Sequence, residues 1–249
     1  MKVIASYAIK GGVGKTTTAV NLAYLAAESG LRTLLWDLDP QGAATYLFRI
    51  APHVKGGSEK LVTRERAVDA ALKGTDFEGL DLLPADSTYR HMDIDLSHTD
   101  GKATRAIGKV LRDLDEYDVV FLDTPPSQSL VSENVLYAAD VVVVPLPPAI
   151  LALRTYEQLV ATVATLPGHR PTVRAFVSMA DRRKSLHREF IASLPERTDV
   201  SSIVIPSLPA IERMATVRAP LPAFAPKSPA TAAYRKLWAE IAAAAGLMA

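Results

Sequence analysis

The stretch whose residue types and spacing could do chemistry is Lys10-Gly-Gly-Val-Gly-Lys15-Thr16-Thr17. Gly11, Gly12 and Gly14, with Val13 among them, let the backbone meet a polyphosphate with no Cβ in the way. A helix that starts at the loop's end aims its free N–H groups and positive dipole end at the same anion. Lys15 supplies a point charge for β- and γ-phosphates, and the Thr16 hydroxyl can ligate Mg²⁺. An ordinary phosphate loop has glycine six residues before its lysine. That place is Ile9 here, and a second lysine, Lys10, stands directly before the glycines.

Two more segments carry acids. Arg32–Trp36 is apolar and runs into Asp37-Leu-Asp39-Pro-Gln-Gly42. On an extended chain residues two apart point the same way, so Asp37 and Asp39 can share work. One supports the metal shell while the other faces a γ-phosphate and orients the attacking water. Tyr117–Leu122 runs into Asp123-Thr-Pro-Pro126. An apolar strand ending in aspartate downstream of a phosphate loop is the usual second Mg²⁺ anchor, held through water. Thr16, Asp37 and Asp123 are therefore the candidate metal residues.

Strands and helices must alternate to bring these ends together. Apolar runs predict strands over 3–8, 32–36, 80–83, 117–122, 140–146, 171–178 and 200–205. Helical patterns cover 18–29, 43–50, 62–73, 103–114, 132–139, 151–165, 186–194 and 229–247, the 62–73 helix with Thr63 and Arg66 near its start. Residues 51–60 read as a loop, 87–97 are ambiguous, and the proline-rich stretch 206–229 is expected over the surface. Near-continuous apolar strands argue an α/β fold, a mainly parallel twisted sheet with helices on both faces. Ligands of such sheets bind at the carboxyl ends of the strands.

The chain has 249 residues, 49% apolar and 22% charged, as expected of one domain spanning 1–249. It has no cysteine, which excludes disulfides, thiolate zinc sites and iron–sulfur clusters. No stretch reads as a signal peptide or reaches the about 20 apolar residues of a membrane span, so a soluble, intracellular protein is expected. The net charge of +1 is uneven. Residues 151–249 carry 13 Lys+Arg against 7 Asp+Glu, whereas residues 1–150 carry 15 against 20. A basic second half could face nucleic acid.

Together, Lys10–Thr17, Asp37–Gly42 and Asp123–Pro126 resemble the ParA branch of the ParA/MinD deviant P-loop ATPases. Leu80–Pro84, Ala138–Asp140, Ser178–Arg182, Ala225–Ser228 and Ala233–Arg235 extend the resemblance over nearly the whole chain. It implies an ATP- and Mg²⁺-dependent homodimer switch. Lys10 would cross to the partner's ATP, Lys15 would act in cis, Thr17 would reach the α-phosphate, and Asp39 would position the water. Met179, Pro206 and Ser207 match the adenine pocket. The resemblance further implies nonspecific DNA binding by the ATP dimer, release stimulated by a ParB-like partner, and a cytoplasmic, nucleoid-associated location. Arg182, Arg183, Lys184 and Arg188, followed by Arg213 and Arg218, are the candidate DNA contacts; such contacts weaken steeply with salt.

Two departures stand out. Many relatives have Arg-Asn-Val-Arg where this chain has Ser207-Leu-Pro-Ala210, and an acidic residue where it has Pro147-Pro-Ala-Ile150. The C-terminal stretch from Leu237 has no Lys or Arg, so a MinD-like membrane anchor is not expected. With the first strand at residue 3, operator binding by a preceding helix-turn-helix is not expected either. The alternatives are a ParA-like ATPase that positions non-DNA cargo, such as a chemoreceptor array or organelle, and a small-molecule ligase or kinase of the dethiobiotin synthetase type.

Overall fold

The computed structural model describes residues 1–65, 67–99, 102–194 and 197–247. Its framework is one eight-stranded sheet: β1 (Lys2–Ser6), β2 (Thr33–Asp37), β3 (Lys73–Gly74), β4 (Leu80–Leu83), β5 (Val119–Asp123), β6 (Val141–Leu146), β7 (Thr172–Ala180) and β8 (Val200–Pro206). The spatial order is β3-β4-β2-β5-β1-β6-β7-β8. All pairings are parallel except the short β3–β4 edge. The order reverses around β1, which lies between β5 and β6, and that is where a ligand crevice opens in such sheets.

Eleven α-helices are present among the described residues: α1 (Lys15–Glu28), α2 (Ala43–Leu47), α3 (Gly57–Val62), α4 (Met92–Ser97), α5 (Ala106–Leu111), α6 (Leu130–Ala138), α7 (Ile150–Thr165), α8 (Ser185–Ala192), α9 (Pro209–Val217), α10 (Leu221–Phe224) and α11 (Pro229–Ala245). Side chains alternate across the strands, and each face has its own core. Val3, Trp36, Val120 and Val142 face α3 to α8 on one side. Ile4, Leu35, Phe121 and Val143 face α1, α2 and α9 to α11 on the other. Because both faces are covered, the central strands β1, β5 and β6 are near-continuous apolar runs, as the sequence predicts.

The 62–73 helix is not formed. The helix here is α3, starting at Gly57 inside the expected loop, and it stops because Arg64 turns left-handed, φ +60°, with its guanidinium on Asp113. A 3₁₀ turn at Val68–Ala71 and β3 follow, and Arg66 lies outside the described residues. The 103–114 helix is shortened to α5 behind a 3₁₀ turn. The ambiguous 87–97 resolves into a 3₁₀ turn and α4.

The larger correction concerns 206–229. Its prolines do not mark a surface loop. Pro209 and Pro222 sit in the first turns of α9 and α10, where a missing N–H costs nothing. Leu221 is fully buried, Met214 nearly so, and Asn21 on α1 binds the segment. The Asn21 amide donates to Thr17 O at 2.8 Å and accepts from Leu221 N at 2.8 Å. Leu221→Ala is expected to destabilise the fold by about 2–5 kcal/mol, read as a lower midpoint in urea at unchanged slope.

Candidate active site

Between β1 and α1 the chain turns through Gly12 and Gly14, whose φ values of +71° and +101° lie in the region glycine tolerates. Gly14 precedes α1, and no side chain caps the helix start. The first N–H groups of α1 are therefore free for an anion. Three hydroxyls brace this loop. Ser178 Oγ donates to Val13 O at 3.0 Å, Ser6 Oγ to Lys15 O at 2.9 Å, and Thr124 Oγ1 to Ser6 O at 2.8 Å. The ends of β7, β1 and β5 thus hold the loop in place.

Lys15 is only 6% exposed and stands at the first position of α1, where a cation opposes the helix dipole. Its ammonium donates to Lys10 O at 3.2 Å. Burial lowers its pKa, while Asp123 and Asp39 pull the other way. Asp37 and Asp123 face each other in register on adjacent strands, both fully buried. Strands lie about 4.8 Å apart, so two carboxylates share one dry site.

The two acids are held differently. Asp37 Oδ2 accepts from Thr45 N at 2.8 Å and from Thr45 Oγ1 at 2.7 Å. Burial still pushes the Asp37 carboxyl up to about 6, against those hydrogen bonds. Asp123 has no hydrogen-bond partner on either oxygen. Burial first, and the charge of Asp37 next, raise it well above the carboxylate range. The Thr16 hydroxyl is near enough to favour its charged form, though short of a hydrogen bond. An unsatisfied buried carboxylate beside a threonine hydroxyl fits a hydrated Mg²⁺, which takes few protein ligands and completes its shell with water and phosphate. Among the described residues no three acids or histidines form a metal cage of their own.

Asp39 does not share a strand face with Asp37, because β2 ends at Asp37. Asp39 stands in the following turn, where its Oδ1 accepts from Gln41 N at 2.9 Å and its carbonyl from Gly42 N at 2.8 Å. Asp37 turns toward Thr45, whereas Asp39 lines a cavity of about 330 Å³. Gly11, Gly12, Gly14, Lys15, Thr16 and Thr17 line it from one side, and Met179, Pro206 and Ser207 from the other. Met179 adopts φ +55°, rare without a glycine, at the end of β7. Ser207 N donates to Ala180 O at 2.9 Å, keeping the ends of β7 and β8 together.

Lys10 is exposed and does not line this cavity. Sequence reasoning missed Ser178, Ile211, Glu212 and Tyr234 on the cavity wall. Of these, Ser178 and Tyr234 fall inside segments that carry the family resemblance, which was their available signal. Ser6 gave none beyond being a small polar residue at a strand end, and Thr45 none beyond being a small polar residue in a short helix. Of the basic candidates, Arg182, Arg183, Lys184, Arg188 and Arg213 are exposed and Arg218 is half-buried. Arg183 pairs with Asp181 at 2.9 Å, Arg188 donates to Arg182 O at 2.8 Å, and Arg218 donates to Tyr46 O at 2.9 Å.

The family model described as an AAA domain matches residues 1–173. The chromosome-partitioning ATPase Soj of Thermus thermophilus is 37% identical over 247 residues, 94% of this chain and 92% of Soj. The chain belongs to the ParA/MinD family of deviant P-loop ATPases. Within that family, the Bacillus subtilis sporulation initiation inhibitor protein Soj is 33% identical, covering 97% of this chain and 98% of its own. A solved structure of cobyrinic acid a,c-diamide synthase from Mycobacterium smegmatis, with bound ADP and magnesium, superimposes with TM-score 0.80 at 29% identity, over 97% of this chain and 94% of that one. The chain is thus a partition ATPase of the ParA/MinD family, built on that family's P-loop sheet. No helix among its described residues is long and apolar enough to cross a membrane.

The paired acids predict an unusual pH response of the metal-free protein. The native state keeps protons on Asp37 and Asp123 that the unfolded chain releases near pH 4. Stability therefore falls as pH rises from about 4 through about 6, and is regained on acidification from pH 7. Asp123→Asn removes one buried titrating carboxyl. It is expected to raise the midpoint of thermal unfolding without Mg²⁺ by a few degrees and to flatten this profile, in melts between pH 4.5 and 7.5.

Proposed function

We propose that residues 1–249 act as one ParA-type domain, an ATP-dependent dimer switch that binds DNA nonspecifically and partitions chromosomal or plasmid DNA with a ParB-like partner. The observation that carries this reading is Lys10. It is exposed at the mouth of the loop, outside the cavity that Gly11, Gly12 and Gly14 to Thr17 line. A lysine so placed is of little use to its own nucleotide and available to another copy's.

In this reading the loop N–H groups and Lys15 hold the β- and γ-phosphates, and Thr17 reaches the α-phosphate. Thr16 and Asp123, backed by Asp37, hold Mg²⁺, which neutralises phosphate charge and orients the terminal group. Asp39 orients the attacking water, while Met179, Pro206 and Ser207 take the base. Hydrolysis of ATP needs placement and charge neutralisation more than covalent chemistry, and these residues supply both. Lys10 from the second copy adds a cation once two ATP-loaded chains meet, which ties dimerisation to nucleotide state. Arg182, Arg183, Lys184, Arg188 and Arg213 are exposed to meet DNA phosphates, in a cytoplasmic protein that rides the nucleoid.

The likeness to the diamide synthase supports a second reading, a small-molecule ligase on the same loop. A ligase has no use for a lysine turned out of its own cavity. Three variants separate the cases. Lys15→Ala should lose ATP binding. Lys10→Ala should keep binding but lose ATP-dependent dimerisation and turnover. Asp39→Ala should give an ATP-bound dimer that does not turn over, seen by light scattering on sized fractions. DNA titrations with ADP and with a nonhydrolysable ATP analogue should show binding only with the analogue, weakening steeply with salt. A monomeric Asp39→Ala protein at saturating ATP and Mg²⁺ sinks the switch. Equal DNA binding in both nucleotide states, or none, favours non-DNA cargo.

A further inference from the structure

Two arginines lie in left-handed backbone positions where a helix normally ends on glycine. Arg49 follows α2 with φ +61°, and Arg218 ends α9 with φ +55°. Each reaches across to the last turn of the other's helix. Arg218 Nε donates to Tyr46 O at 2.9 Å, and its guanidinium lies 4.3 Å from the centroid of the Tyr46 ring. Arg49 Nη2 donates to Val217 O at 3.1 Å, while its Nη1 meets Asp76 at 3.3 Å. Both acceptors belong to helix C-termini, whose free carbonyls and negative dipole ends favour a cation. Glycine would serve the backbone at either place with less strain. Arginine at both, interlocked, means that the side chains are what the positions require.

The clasp joins the two ends of the site. On α2, the residue before Tyr46 is Thr45, which holds Asp37 through two hydrogen bonds and accepts a third from Ala85 N at 2.8 Å. Just upstream is the turn that presents Asp39 to the cavity. On α9, Ile211 and Glu212 line the cavity opposite the loop. No other pair of cationic side chains among the described residues is exchanged between these two helices.

We propose that Arg218 is a positioning residue for ATP hydrolysis, acting through Tyr46 and α2 on the placement of Asp37 and Asp39, and that it does not contact DNA. This rests on the ATP-site reading of those aspartates. With the clasp open, α2 loses its outer anchor, and the acids wander while the phosphate loop, braced from β1, β5 and β7, stays in place. Turnover suffers and nucleotide affinity does not.

The test uses the full chain with ATP and Mg²⁺. Arg218→Gly keeps the left-handed turn and deletes the side chain, so folding is preserved. It should lower kcat about tenfold with KM for ATP and the affinity for a fluorescent ADP analogue unchanged within twofold, and the unfolding midpoint should not drop. Arg218→Lys should recover part of the loss. Arg49→Gly should lower kcat too, and the double variant should fall no further than the more affected single one. DNA affinity of the analogue-bound protein should stay within twofold for Arg218→Gly and drop for Arg213→Ala. Unchanged kcat in Arg218→Gly overturns the positioning role. Lost DNA binding at unchanged kcat overturns it in favour of a DNA contact. Wild-type protein that neither binds nor hydrolyses ATP overturns the ATP-site reading itself, and is told apart because nucleotide binding is measured separately from turnover.

Discussion

A lysine buried at the positive end of a helix, beside two buried carboxylates paired in register on adjacent strands, is a charge arrangement unfavourable in itself. Lys15 opposes the dipole of α1 and gives up its water. Asp37 and Asp123 repel each other where no solvent screens them. An anion at the helix start relieves the first problem, and a divalent cation beside Asp123 relieves the second. Mg²⁺ with a triphosphate does both at once. Much of the surrounding architecture keeps these groups from escaping. Thr45 holds Asp37, Lys10 O holds Lys15, and the sheet keeps Asp123 from rotating out to water.

The stress is local, and the rest of the molecule is arranged to withstand it. Two separate cores cover the two faces of the sheet, so β1, β2 and β5 are anchored from above and below. The crevice opens where the strand order reverses, at the carboxyl ends of β1 and its neighbours. Asn21 ties α1 to α10, so the helix that carries the phosphate loop is also tied to the last third of the chain.

Much of this was legible in the residues themselves. Continuous apolar strands announced a doubly covered parallel sheet, and the loop glycines, Lys15 and Asp123 announced a phosphate site at its carboxyl edge. What could not be read has physical causes. Proline signals a loop only when its neighbours need the missing N–H, and at the first turns of α9 and α10 they do not. The end of α3 depended on Arg64 finding Asp113, a partner 49 positions away. The pairing of Asp37 with Thr45 looked like nothing in sequence, since a threonine in a short alanine-rich helix has many uses. For the basic residues charge was visible, but not the bonds that Arg183, Arg188 and Arg218 also make within the protein.

The placement of β1 also sets a schedule. It is the first strand to be made, yet its neighbours are β5 and β6, with Lys2 opposite Val119 and Ile4 opposite Val141. A nascent chain thus carries its complete phosphate loop long before any strand exists to brace it. Asp123 arrives with β5, and Ser178, which holds Val13, arrives with β7. Nucleotide competence comes late in synthesis, in a step that requires most of the chain. Such long-range parallel pairing is slow to form. An unfinished or truncated copy ending before β7 lacks the last brace of its loop, so few incomplete chains could compete for ATP.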